Sequence, residues 1–124
     1  MTIDHIRISK QAREQLIRLK RHTGIEHWNI LCRWAFCRSL AEKSVPPPAK
    51  IPADSNVEMS WRVFGGRHAD LYFALLKQRC VVDGIPINDD ELAMQFRLHL
   101  HRGIAYLAND RQLRDIGSLI ALAA

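Results

Sequence analysis

The 124-residue sequence predicts a mainly α protein with two short strands, and three observations carry that prediction. Most of the chain repeats its apolar residues every three or four positions, as a helix face requires, while only two short stretches alternate residue by residue as a strand does. Four of the five prolines gather in one stretch and leave the other segments free to be helical. Hydrophobic residues form 48% of the chain, enough for the core of one domain spanning residues 1–124.

HIRIS alternates, with Ile6 and Ile8 on one side and His5, Arg7 and Ser9 on the other, and predicts the first strand. From Gln11 the period changes: Ala12, Leu16 and Leu19 share one helical face, and Gly24 is a natural stop after Thr23. A second helix is expected from Glu26 to Glu42. Ile30, Leu31, Cys32, Trp34, Ala35, Phe36 and Cys37 make it apolar nearly all round, so it must be buried on several sides by its own domain or by other copies. The Pro-rich loop, residues 45–55, can be neither helix interior nor central strand. VEMSWRVF (57–64) alternates again and predicts the second strand, ended by Gly65-Gly66. A third helix is expected from Arg67 to Val82, presenting Leu71 and Leu75 with Tyr72, Leu76 and Cys80 on the flank. Asn88, with Glu91 three residues on, reads as the cap of a fourth helix reaching Ala108. A last helix is expected from Asn109-Asp110 into the apolar tail SLIALAA.

Charge is distributed unevenly. Residues 1–43 hold nine Lys/Arg against four Asp/Glu, whereas residues 44–124 hold nine of each. A positive surplus confined to one segment is a recruiting surface for a polyanion, of which nucleic acid is the commonest. On a helical wheel, Arg13 and Lys20 lie about 100° and 80° from Ala12, Arg21 about 180° and Arg18 about 240°. These charges wrap the side opposite the buried stripe, and Lys10 precedes them. Arg7, Lys10, Arg13, Arg18, Lys20 and Arg21 are therefore the candidate DNA-binding residues, suited to neutralising phosphates without selecting a sequence.

No catalytic or metal residue is expected, and no cofactor. His99 and His101 point about 200° apart on a helix. His22 and His27 straddle a turn, and His68 stands beside Asp70, so no metal-ligand spacing forms. Cys32 and Cys37 sit in an apolar helix and read as buried structural thiols; a persulfide relay would need an exposed thiolate of low pKa. Asp89, Asp90 and Glu91 follow Asn88, where acids complement the helix dipole, and Gly65-Gly66 lacks the lysine of a phosphate loop. Trp28, Trp34 and Trp61 read as core or interface anchors. Arg62, Arg97, Arg102, Arg111 and Arg114 are matched by acids, which suggests solubility or subunit contacts. No apolar run approaches the roughly 18–20 residues that span a bilayer. The opening MTIDHIRISK lacks a secretory stretch, and the cysteines number three, an odd count. A cytoplasmic protein without membrane contact is expected.

Residues 5–42, with HIRIS, Leu16 and Leu19, the Thr23–Ile25 turn and an apolar second helix reaching Leu40, resemble a ribbon-helix-helix unit. There, strands from two subunits pair antiparallel and the ribbon enters a DNA groove; His5, Arg7 and Ser9 would form its outward face. The full chain resembles the DndE family through IRISKQAREQLIRLKRHTGIEHWNILCRWAFC, SVPPPAKIPADSNVEMSWRVFGGRHADLYFALL and GIPINDDELAMQFRLHLHRGIAYL. DndE proteins are the small components of bacterial DNA phosphorothioation, in which sulfur replaces a non-bridging phosphate oxygen. The resemblance implies one DndE-like domain with the ribbon-helix-helix-like part, the loop and a strand-and-helix remainder over 57–124. It further implies a non-enzymatic, tetrameric, DNA-binding accessory protein that prefers nicked duplex and works beside the other sulfur modification proteins, a cysteine desulfurase and an iron–sulfur protein among them. The apolar second helix and the SLIALAA tail agree with such a helical oligomer. A scaffold for the other modification proteins and a ribbon-helix-helix repressor are the alternative readings.

Overall fold

The computed structural model describes residues 3–123, and its first element already departs from a two-subunit ribbon. Strand β1 (His5–Arg7) pairs antiparallel with β2 (Glu58–Ser60) of the same chain, in the register His5↔Ser60, Ile6↔Met59, Arg7↔Glu58. Ile6 and Met59 oppose each other on the buried face, joined by Ile8 and Val57 further along. The alternation of 57–59 supplies the chain with its own partner strand. Ser9 is correspondingly not on an outward ribbon face: it is buried and caps α1 (Lys10–Thr23), its Oγ accepting from the Ala12 N–H at 3.1 Å.

Helix α1 buries the expected stripe of Ala12, Leu16 and Leu19, together with Gln15 and Thr23. It ends where the sequence places its stop, on Gly24 at φ 77°, a left-handed conformation that glycine adopts without Cβ strain. Helix α2 (Trp28–Leu40) buries Leu31, Cys32, Ala35, Phe36 and Ser39 within the chain itself. Its main neighbour is α5 (Asp89–Asn109), which crosses so closely that a Cβ on Gly103 would lie 1.7 Å from the Ala35 carbonyl oxygen. Self-association is thus not needed to cover α2. Cys37, expected to be buried, faces outward.

The second strand is shorter than its alternating pattern. Ser60 Oγ accepts from the Val63 N–H at 3.1 Å and turns Trp61–Gly65 into helix α3. Trp61 and Phe64 are three apart, so the helical turn brings both inward, where a continued strand would have sent them to opposite faces. They meet Phe36 and Phe96, with ring centroids 4.9 Å apart for Trp61–Phe96 and 5.0 Å for Phe64–Phe96. Full burial of each such ring contributes about 1.5–3 kcal/mol, so this cluster anchors α2, α3 and α5 to one another. All of these rings are buried, consistent with an anchor reading of Trp61.

A 3₁₀ turn at Gly66–His68 leads into α4 (Ala69–Val82), which buries Leu76 and Cys80 but leaves Leu71, Leu75, Val81 and Val82 exposed. Asn88 caps α5 as expected, its Oδ1 accepting from Glu91 N–H at 2.9 Å. Helix α6 (Ile116–Ala121) starts later than expected, on an Asp115–Ser118 capping box; Leu119 is buried while Ile116 and Ile120 are exposed. The Pro-rich loop carries no regular structure but is pinned in place. Ser55 Oγ donates to the Ile8 carbonyl at 2.7 Å, Asp54 accepts from Lys10 N–H at 2.8 Å, and Ile51 O accepts from Arg97 at 3.0 Å. That loop therefore lies against the start of α1.

Candidate nucleic-acid interface

Helix α1 presents its solvent side as a row of cations because its apolar residues recur on one stripe only. Lys10, Arg18 and Arg21 are exposed, and Arg13 and Lys20 are half-buried. Among the described residues, none of these five side chains forms an ion pair. The row is divided, however. Lys10 and Arg13 border a hollow with Glu14, Asp54, Ser55 and Asn56, where the Arg13 Nε is buried without a partner. Arg18 and Arg21 border a second hollow with Gln11, Glu14, Gln15, Ile17 and Asn109. Lys20 turns away from both: its Nζ lies 3.4 Å from the centroid of the Trp28 ring, a cation–π contact across the α1–α2 turn. Trp28 is half-buried and so holds Lys20 in place.

Arg7 stands apart from the helical row. Its Nη2 pairs with Glu58 Oε2 at 2.7 Å and its Nη1 donates to the Ser55 carbonyl at 3.2 Å. The structure also brings in a residue that sequence reasoning missed. Lys50, on the Pro-rich loop, borders a third hollow with Lys10, Gln11, Gln15, Asp54 and His101. Forty residues separate Lys50 from Lys10, and the only signal for their proximity is the packing of the loop.

The arginines of the later helices have a different use from that expected. Instead of matching acids, Arg97 donates to the carbonyls of Arg7 and Ile51. Arg102 reaches Ser39 Oγ and O (both 2.9 Å) and Ser44 O (2.9 Å). Arg79 pairs with Asp83 at 2.9 Å and also donates to the carbonyls of Leu40, Lys43 and Ser44. Arg79 and Arg102 together close the C-terminus of α2, where orphan carbonyls and the helix dipole favour cations.

The interior histidines and thiols are held neutral. His99 Nδ1 lies 2.8 Å from Ser39 Oγ while its Nε2 is buried without a partner. Burial, followed by the nearby Arg79 and Arg102 charges, pushes its pKa down to about 4. His101 Nδ1 meets the Arg97 carbonyl at 2.8 Å and its Nε2 meets the Ser9 N–H at 3.2 Å. One neutral tautomer satisfies both partners, and burial again lowers the pKa to about 4. The thiols move the other way: burial pushes Cys32 up to about 12 and raises Cys37 and Cys80. Even the outward-facing Cys37 thus lacks the lowered pKa that a sulfur-carrying thiolate needs. Among the described residues, no cluster of three His, Cys, Asp or Glu side chains could hold a metal, and no helix is long and apolar enough to cross a membrane.

The chain is thus a small, mainly helical protein with a two-stranded antiparallel sheet and a cationic helix whose side chains form no ion pair among the described residues. The family described as DNA sulphur modification protein DndE matches residues 5–115, and the chain belongs to the DndE family. Its fold is similar to the crystal structure of DndE from Escherichia coli B7A, described as involved in DNA phosphorothioation modification, at a TM-score of 0.72 and 26% identity; the match covers 86% of this chain and 98% of that one. It is also similar to a DndE G21/24K mutant, described as involved in DNA phosphorothioation, at a TM-score of 0.66 and 25% identity, covering 86% and 97%. No curated protein matches the chain. Family membership gives the chain a role in DNA modification.

Proposed function

We propose that this chain is the DNA-binding accessory component of a phosphorothioation system, holding duplex DNA by its phosphates through the outward face of α1. The observation that carries this reading is the row Lys10, Arg13, Arg18, Lys20 and Arg21, none of which forms an ion pair among the described residues. Arg7 and Lys50 flank it. Backbone contacts of this kind confer affinity by counterion release and carry no base sequence. A nicked duplex is the favoured ligand because an interrupted backbone bends at lower cost to follow a curved cationic surface. Self-association as a tetramer would present several copies of the row to one duplex and raise affinity without new kinds of contact. The bare apolar side chains of α4 and α6 are the surface available for it. No catalytic residue is assigned, and the raised thiols argue against a sulfur relay through cysteine. The protein would act in the cytoplasm beside the other sulfur modification proteins.

Titrating labelled intact, nicked and single-stranded DNA of one sequence at two salt concentrations tests this reading. Nick-selective, salt-sensitive binding is expected. No binding to any of the three would leave α1 as a solvated face. The scaffold reading would then lead, favoured by the exposed Leu71, Leu75, Val81 and Val82 of α4. The repressor reading has less support, because β1 is paired within the chain and Ser9 is buried in a cap.

A further inference from the structure

The β-ribbon carries a cation, Arg7, that the chain itself occupies. Arg7 and Glu58 are directly opposed across β1 and β2, and His5 lies diagonal to Glu58 on the same exposed face. Glu58 uses both carboxylate oxygens: Oε2 contacts Arg7 Nη2 at 2.7 Å, and Oε1 lies 3.6 Å from His5 Nδ1. All three side chains remain open to solvent, with 45% of the Arg7 side chain and 39% of the Glu58 side chain accessible. The ion pair is therefore not a buried structural clamp, and such exposed pairs contribute little to stability. Arg7 is nevertheless held in one place, since its Nη1 also donates to Ser55 O. Ser55 in turn borders the hollow of Lys10 and Arg13. A guanidinium held at the end of the α1 row offers a donor that a phosphate oxygen takes, and one oxygen of Glu58 already takes it.

We infer that His5 and Arg7 form a second phosphate-binding element continuous with α1, and that Glu58 is an internal competitor holding that element out of the interface until a phosphate displaces it. The inference rests on the proposed reading of α1 as the DNA-binding face. Glu58 keeps the ribbon end electrically neutral and confines phosphate contact to the helix. DNA following the row past Lys10 meets a carboxylate, so affinity is set below what the cations alone would give.

The test is DNA binding by the full chain and by Glu58→Gln, Arg7→Ala, the double variant, and Asp90→Asn as a charge control at an exposed carboxylate in the first turn of α5. Glutamine keeps a hydrogen-bonding group opposite Arg7 and removes only the charge. Glu58→Gln is expected to tighten binding about fivefold, the scale of one exposed ion pair released to a phosphate, and to steepen the salt slope by about 0.9. Arg7→Ala leaves the Glu58 carboxylate unpaired beside the row and is expected to weaken binding, and in that background Glu58→Gln is expected to lose its gain of about fivefold. Equal effects of Glu58→Gln and Asp90→Asn in a wild type that binds would overturn the inference and leave the α1 reading standing. A wild type that binds no DNA would overturn both.

Discussion

Helix α1 and the α4–α5 pair both carry cations, but the chain treats them differently. On α4 and α5, Arg79, Arg97 and Arg102 all end on backbone carbonyls of distant segments and fasten α2, the Pro-rich loop and β1 to the body of the fold. On α1, among the described residues, Lys10, Arg13, Arg18, Lys20 and Arg21 form no ion pair, and Lys20 has an aromatic partner in Trp28. The lesson is that a cation's availability depends on where the orphan carbonyls of the fold lie, because carbonyls claim arginines as effectively as acids do. Net charge by segment points to α1, whose cations form no ion pair among the described residues. It misassigns Arg97 and Arg102, which end on backbone carbonyls and a serine rather than on acids.

The comparison implies that damage to the α5 side should read out as stability and damage to α1 as binding. The largest effect is expected at Gly103. Any Cβ there collides with the Ala35 carbonyl, so Gly103→Ala should destabilise the chain by about 3 kcal/mol or more, measured as a fall in the denaturant midpoint. Acidification should act on the same side. His99 and His101 have folded pKa values lowered to about 4 against an ordinary 6.5, so their contribution is complete above the unfolded value and falls as pH drops toward the folded one. Between pH 7 and pH 5 stability should fall by about 2 kcal/mol for each histidine. A His99→Gln, His101→Gln variant should lose that pH dependence; retention of the slope would place its origin elsewhere. Arg102→Ala should cost about 2 kcal/mol, the scale of charge-assisted hydrogen bonds to the α2 terminus. At a temperature where the variant stays folded, its DNA affinity should match that of the wild type. A loss of affinity there would break the division between the two regions.

Much of the scaffold was legible in the sequence because its signals are local. The stripe Ala12, Leu16 and Leu19, the stop at Gly24 and the cap at Asn88 each depend on residues within a turn of one another. The misread elements depend on distant partners. Trp61 to Phe64 fit an alternating pattern as well as a helical one, and the aromatic cluster with Phe36 and Phe96 settles the choice. The ribbon-helix-helix resemblance pairs β1 with a second subunit, whereas its partner β2 lies some fifty residues on in the same chain, and a strand pairing carries no local mark. The candidate interface divides the same way. The helical wheel found the α1 row, while the capture of Lys20 by Trp28, of Arg7 by Glu58, and the arrival of Lys50 beside Lys10 all arise from tertiary packing.

The central claim is that the unpaired cations of α1, and not the chain's charge in general, hold DNA. Its most direct measurement is the salt dependence of nicked-duplex binding for the wild type and for a Lys10→Ala, Arg13→Ala, Lys20→Ala, Arg21→Ala variant, with the fold checked by circular dichroism. The expected result is a folded variant with strongly weakened binding and a salt slope flattened by about 2–4, as the lost phosphate contacts release fewer counterions. An unchanged affinity and slope in the folded variant would contradict the claim and move the interface off α1.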